Sequence, residues 1–372
     1  MTPSPINVLI VDDSALMRNL IGRIVESDPA LVLVGKAMNG VFALKKLETL
    51  DVDIIVLDLE MPEMNGIEFL KKRKELKLEI PVIILSSVAR RGAEITMEAL
   101  SLGAVDFIKK PSGSVSEDIH LVAEHLLELI HAFGGRRKSS VAPVRHETPV
   151  APSPLPVAPH LVVSSKPLVL PSGVLRPHAG IQLCVLGIST GGPNALRQVF
   201  AALDPDFPLP IVVVQHMPAG FTAEFAKSLD KSCPLEVKEA EEGDLVKKGR
   251  ILIAPGDWHI ELEKRSLATI VHINQNLPLN GHRPSVGVLF KSAASQFGSS
   301  VLAVIMTGMG RDGAAEIGEV FKAGGLTLAQ DEASSVVFGM PKVAIEMGNV
   351  EKVVALNEMA TTLNKLAKEF AR

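Results

Sequence analysis

The residue from which chemistry can first be read is Ser189. It ends an apolar run from Ile181 to Ile188 and sits among glycines at 187, 191 and 192. Residues Asn194 to Phe200 then take up helical spacing. An apolar run of this length reads as a buried strand, so Ser189 falls on a strand-to-helix turn. Such a turn exposes a hydroxyl at the carboxyl edge of a sheet. It also aims it at the free N–H groups and positive end of the next helix. Glycines there allow tight backbone and close approach of a substrate. Three readings fit: a nucleophile with an oxyanion hole, a loop that cradles phosphate, or a plain serine N-cap.

A nucleophilic serine needs a base, and histidine is the usual one. The candidates are His216, His259, His272 and His282. His216 follows the run Ile211 to Gln215, which puts it at the carboxyl end of a strand, on the edge that carries Ser189. His259 and His272 lie among strand-like residues and read as packing or surface groups. His282, in the polar loop Leu279 to Pro284, reads with Arg283 as a substrate contact. The base needs an acid to fix its tautomer. Asp312 follows the apolar run Val301 to Met306 in a glycine-rich loop, again at a strand's carboxyl end. Taken alone it reads as a turn or N-cap aspartate. Serine, histidine and aspartate on one sheet edge match a hydrolase triad, which is recognised by geometry and role. The chain order Ser, His, Asp differs from that of α/β-hydrolases and disfavours that fold.

A second set of polar residues lies upstream. Asp12 and Asp13 follow an apolar run at 6–11, Asp58 follows one at 54–57, Ser86 one at 82–85, and Lys110 the pair Phe107-Ile108. Three carboxylates meeting in one place repel one another and call for a cation. Hard oxygen ligands suit Mg²⁺. A lysine and a hydroxyl beside them would take up an incoming phosphoryl group.

The elements that must position these groups follow from periodicity. Residues 6–133 alternate five short apolar runs with five helical patterns, which predicts a parallel sheet covered on both faces. Residues 134–178 carry prolines at 143, 149, 152, 154, 156, 159, 167, 171 and 177 and read as an extended linker. Residues 179–372 read as a second α/β domain. Its strands are expected at 181–188, 211–215, 251–254, 258–263, 269–273, 301–306 and 326–329, with an antiparallel excursion over roughly 235–273. The predicted fold class is α/β in two domains, an N-terminal (βα)5 unit and a C-terminal doubly wound unit with a largely parallel sheet.

Composition narrows the function. The 372 residues carry a net charge of −4 with mixed signs, which gives no basic footprint for nucleic acid. Aromatics are 4% and tyrosine is absent, so stacking platforms for bases are scarce. The two cysteines fit a reducing compartment. No leader-like or bilayer-length apolar stretch is read. The expectation is a cytoplasmic monomer without membrane insertion.

The first third resembles the receiver domain of response regulators. The matching residues are Asp12-Asp13, Asp58 with Met61 to Gly66, Ser86 and Lys110-Pro111. The resemblance implies that Asp58 accepts a phosphoryl group from a histidine kinase. It implies that Asp12 and Asp13, with Asp58, hold Mg²⁺, that Ser86 and Lys110 meet the phosphoryl oxygens, and that Phe107 is the aromatic switch. The second domain is similar to the catalytic domain of the chemotaxis protein-glutamate methylesterases, the CheB family. The similarity rests on Gly187 to Pro193, Gln215 to Pro218, Arg283 to Val286 and Met306 to Gly313. It implies Ser189 as nucleophile, His216 as acid–base and Asp312 as its partner. Backbone N–H groups near Thr190 and Met309 would form the oxyanion hole. The implied reaction is hydrolysis of glutamate methyl esters, and deamidation of glutamines, on chemoreceptors, with no cofactor for the ester chemistry. In that family the unphosphorylated receiver packs over the cleft. One departure is Gly287, where the family often has an acid soon after Arg-Pro-Ser-Val. Rival readings are a response regulator that binds a phosphorylated ligand without catalysis, a scaffold, and an esterase serving a non-chemotaxis array.

Overall fold

The computed structural model describes residues 4–86, 90–110, 119–139 and 180–371. The N-terminal unit runs β1 (Ile6–Val11), α1 (Ala15–Glu26), β2 (Leu31–Ala37), α2 (Gly40–Leu47), β3 (Ile54–Asp58), α3 (Gly66–Glu75), β4 (Val82–Ser86), α4 (Arg90–Ser101), β5 (Asp106–Lys109) and α5 (Ile119–Ser139). Its five strands are parallel in the order β2-β1-β3-β4-β5. β3 and β4 are buried at every position. This is why they read as unbroken apolar runs rather than alternating ones. Local chemistry sets the helix starts: Ser14 caps α1, Asn39 caps α2, and Asn65 with Glu68 forms a capping box on α3.

The C-terminal unit runs β6 (Leu183–Ile188), α6 (Gly192–Ala201), β7 (Ile211–Gln215), α7 (Thr222–Asp230), β8 (Glu236–Glu239), β9 (Arg250–Ile253), β10 (His259–Lys264), β11 (Thr269–Asn274), α8 (Val286–Phe297), β12 (Val301–Ile305), α9 (Ile317–Lys322), β13 (Leu326–Gln330), α10 (Met340–Glu346), β14 (Lys352–Val354) and α11 (Leu356–Phe370). Seven strands form one parallel sheet, β14-β13-β12-β6-β7-β9-β8, while β10 and β11 pair as a separate antiparallel hairpin.

The expectation of an antiparallel excursion over 235–273 is therefore corrected. Only 259–274 leaves the main sheet, and β8 and β9 extend it in parallel. β8 and β14 were not anticipated. Each is an edge strand of three or four residues, and β8, Glu-Val-Lys-Glu, has a single buried position. A strand that buries so little carries no apolar run to read. Helix α5 continues to Ser139, through Gly134 and Gly135, six residues past the expected domain end. The rest of the proline-rich linker lies outside the described residues.

The two units meet closely. α4 packs on α6 and α7. One apolar cluster runs from first-unit residues such as Leu57 and Phe107 into second-unit residues such as Ile188 and Phe221. The Phe107 and Phe221 ring centroids are 4.7 Å apart.

Candidate active site and phosphoacceptor site

In both sheets the chain leaves in opposite directions from neighbouring strands, and ligands of open α/β sheets gather at such points. In the second sheet β6 lies between β12 and β7. Ser189 follows β6, His216 follows β7 and Asp312 follows β12. Three backbone bonds draw these strand ends together: Met306 N to Gly187 O (2.9 Å), Ser189 N to Thr307 O (2.9 Å) and His216 N to Ile188 O (3.1 Å). Gln215, which sequence reading did not single out, is buried between them. Its Nε2 donates to the carbonyls of both Ser189 and His216 at 3.0 Å. The available signal was a glutamine at the end of an otherwise apolar strand.

The glycines around Ser189 are close-contact positions. A Cβ on Gly192 would fall 1.9 Å from Gln215 Oε1, and one on Gly308 would fall 2.8 Å from the Ser189 Cβ. Gly191 has φ +76°, where glycine is favoured, and caps α6, with Pro193 in its first turn.

The structure brings the three predicted residues into one relay. His216 Nδ1 lies 3.1 Å from Ser189 Oγ and His216 Nε2 lies 2.8 Å from Asp312 Oδ2. An ionised Asp312 only accepts, so Nε2 carries the proton and Nδ1 presents a lone pair to the serine. Asp312 is buried, which alone would raise its pKa. His216, Asn280 (3.1 Å) and Ser285 (2.7 Å) outweigh burial and hold it down at about 2. The backbone N–H groups of Val286 (2.7 Å) and Gly287 (3.3 Å) also donate to it. Asp312 thus sits on the N-terminus of α8, where a carboxylate is favoured.

Thr190 and Met309 flank the serine and line the same cavity. Among the described residues their backbone N–H groups have no hydrogen-bond partner. His282, predicted as a substrate contact, lines the cavity and stacks face to face on His216, with centroids 3.9 Å apart and planes 10° from parallel. Arg283 lines the cavity but is paired with Asp257 at 2.7 Å and donates to the Gln275 and Asn276 carbonyls. At Gly287 the space of a side chain is taken by Glu316. A Cβ there would meet the Glu316 carboxyl carbon at 2.9 Å. A carboxyl from the segment before α9 thus lies beside Gly287.

The receiver edge gathers the other set. Lys110 Nζ lies 2.8 Å from Asp58 Oδ2 and 2.9 Å from Asp12 Oδ2. Asp12, Asp13 and Asp58 each offer a carboxylate oxygen within 4.8 Å of the others. Asp12 Oδ2 is buried, with the Lys110 ammonium as its close cationic partner among the described residues. One lysine against three clustered carboxylates leaves negative charge over, which fits a hard divalent cation such as Mg²⁺. Burial raises the Asp58 pKa despite Lys110 and the amides of Leu59 and Glu60. Ser86 Oγ lies 2.5 Å from Thr96 Oγ1.

Receiver and triad meet across a cavity of about 670 Å³. Ser189, His216 and Met309 line one wall, and Phe107, Lys110 and His125 line the other. Asp106, which sequence reading passed over, makes the most direct contact. Its buried carboxylate accepts from its own neighbour Phe107 N and from Gly191 N, both at 2.9 Å. Burial, only partly offset by these two amides, raises its pKa to about 6. Asn194 Nδ2 adds a bond to Ala104 O at 3.0 Å. The receiver therefore hydrogen-bonds to the loop two residues past the serine. An acid in an apolar strand was the signal that could have found Asp106.

No helix among the described residues is long and apolar enough to cross a membrane. Comparison with known proteins places the chain by family. The family model described as CheB methylesterase matches residues 184–363, and the response regulator receiver domain matches 8–120. A protein-glutamate methylesterase/protein-glutamine glutaminase of Treponema denticola is 54% identical, over 98% of this chain and 99% of its own. The protein of the same name from Treponema pallidum is 50% identical, over 98% of each chain. The crystal structure of the Thermotoga maritima CheB methylesterase catalytic domain is 41% identical. It covers 50% of this chain and 99% of that one, with a TM-score of 0.49. The chain belongs to the protein-glutamate methylesterase/protein-glutamine glutaminase family, with a receiver domain followed by a CheB methylesterase domain.

Proposed function

We propose that this protein is a phosphorylation-activated serine hydrolase that demethylates glutamate methyl esters, and deamidates glutamines, on cytoplasmic helices of chemoreceptors. The observation that carries the reading is the Ser189–His216–Asp312 relay, at 3.1 and 2.8 Å, inside a cavity walled by the receiver. Residues 1–133 act as receiver, 134–178 as linker and 179–372 as catalytic domain in a monomer.

Ser189 Oγ attacks the ester carbonyl carbon while its proton passes to His216 Nδ1. Asp312 holds the resulting imidazolium through Nε2–H. The N–H groups of Thr190 and Met309 take the charge on the carbonyl oxygen, and losing one such donor costs roughly 10²–10³ in rate. The intermediate collapses as His216 returns the proton to the methoxy oxygen and methanol leaves. Water then gives a proton to His216 and attacks the acyl-serine, restoring Ser189 and freeing the glutamate carboxyl. With glutamine the same steps release ammonia. None of these steps draws on a cofactor.

Control runs through β5. A histidine kinase supplies the phosphoryl group to Asp58; Asp12, Asp13 and Asp58 would hold Mg²⁺, which would supply charge neutralisation at the carboxylates. Lys110 and Ser86 meet the phosphoryl oxygens. Lys110 leaves its pairing with Asp12, and Phe107 and Asp106, three and four residues back, shift with it. The contacts to Phe221 and Gly191 loosen, and the cleft opens. The test is methanol release from methylated receptor membranes. Wild type is expected to release methanol and Ser189→Ala none. Equal release from both would reject the reading.

A further inference from the structure

The turn before α8 is tied down on every side. Leu279 and His282 bridge through paired backbone bonds of 3.2 and 3.0 Å. Asn280 and Ser285 hold Asp312, and Arg283 is anchored to Asp257 and to two carbonyls. The one polar side chain of this turn without a hydrogen bond among the described residues is His282. Its ring partner is the His216 imidazole, 3.9 Å away and near-parallel.

We propose that His282 is a positioning residue, which presents a neutral aromatic face to His216 and favours the protonated form of that ring during acyl transfer. The inference rests on the triad reading above. Burial first, and the neighbouring His216 second, push the His282 pKa down to about 4, so its ring is neutral across the working range. A neutral π-face attracts a cation more strongly than a neutral ring. His216 is a cation only after it has taken the serine or water proton. The stack therefore strengthens on the way to each tetrahedral intermediate, and an interaction of that kind raises kcat rather than lowering KM. It also blocks the face over which His216 would have to swing to lose its bonds to Ser189 and Asp312. A substrate contact would act differently, by binding ester and intermediate alike.

The experiment uses the full chain, activated with acetyl phosphate and Mg²⁺, and measures kcat and KM for methanol release from methylated receptor membranes. His282→Ala is expected to lower kcat about 3- to 30-fold with KM within about twofold. His282→Phe, which restores the π-face without ring nitrogens, is expected to keep kcat within about threefold of wild type. The proposal is overturned if His282→Ala raises KM at unchanged kcat, or if His282→Phe is as defective as His282→Ala. Ser189→Ala is run beside them. If it stays active, the triad reading itself has failed, which separates that failure from the failure of the stack.

Discussion

Asp312 and Asp58 are both buried aspartates at the carboxyl end of a parallel sheet, each with a nitrogen 2.8 Å from one oxygen. They are held in opposite ways. Asp312 faces the start of α8 and collects His216, Asn280, Ser285 and two backbone amides, which overcome burial and keep it an anion. Asp58 has two amides and a lysine shared with Asp12, and burial prevails. The comparison teaches that an acid whose charge must stay constant is set among fixed dipoles. An acid that must itself be chemically altered is given fewer fixed donors and a cation shared with its neighbour. The same edge of the same kind of sheet serves both purposes.

The sharpest way to break this comparison is to remove the charge of Asp312. Asp312→Asn is expected to lower kcat about 10⁴-fold, because His216 loses the acceptor that fixes its tautomer. Acid unfolding gives an independent check. The folded pKa of Asp312 lies near 2, below its unfolded value of about 3.9. Its contribution, on the order of 2 kcal/mol, is complete above the unfolded pKa and is lost as pH falls from there through about 2. Denaturant titrations at stepped pH should show a shallower acid slope in Asp312→Asn. An unchanged slope would contradict the fixed-anion account.

Next in size is the receiver carboxylate. Asp58→Asn is expected to retain basal methanol release and lose all stimulation by acetyl phosphate. Chelating Mg²⁺ in wild type should remove the stimulation in the same way and leave the basal rate unchanged. Stimulation that survives either treatment would detach the cleft from Asp58.

Between the two sites stands Asp106. At about pH 5, below the closed-state pKa of its carboxyl, Asp106→Ala removes the acceptor for Gly191 N–H and is expected to raise basal activity about fivefold, from a neutral hydrogen bond of about 1 kcal/mol. The closed-state pKa near 6 lies above the usual carboxylate range, so closure takes up a proton and weakens as pH rises to about 6. The ratio of basal to stimulated activity should therefore climb between about pH 4 and 6 in wild type, level off above that, and stay flat in Asp106→Ala.

The smallest effect concerns the Gly287 departure. Gly287→Asp sets a second carboxyl against Glu316, at a cost of about 1 kcal/mol in stability, read by denaturant unfolding. Pairing it with Glu316→Ala should recover most of the loss.

The legible parts were those where burial and chemistry coincide with local pattern. Both-face-buried strands such as β3, β6, β7 and β12 announce themselves as apolar runs, and Asp58, Ser189, His216 and Asp312 stand at or just past their ends. Edge strands β8 and β14 bury too little to be seen. The role of Asp106 depends on a partner 85 residues away, and that of Glu316 on the absence of a side chain at 287. His282 was picked out by type, but its stack on His216 is a property of the folded turn. Contacts of this kind have no period or spacing to betray them.

The most direct test of the link between the two edges is methanol release from methylated receptor membranes with Mg²⁺, with and without acetyl phosphate. Wild type, Ser189→Ala and Asp58→Asn are run in parallel. The account predicts release that rises with acetyl phosphate in wild type, no release from Ser189→Ala, and a low, unresponsive rate from Asp58→Asn. Wild-type release that ignores acetyl phosphate, or an Asp58→Asn protein that still responds to it, would contradict the claim that the phosphoacceptor site controls the triad.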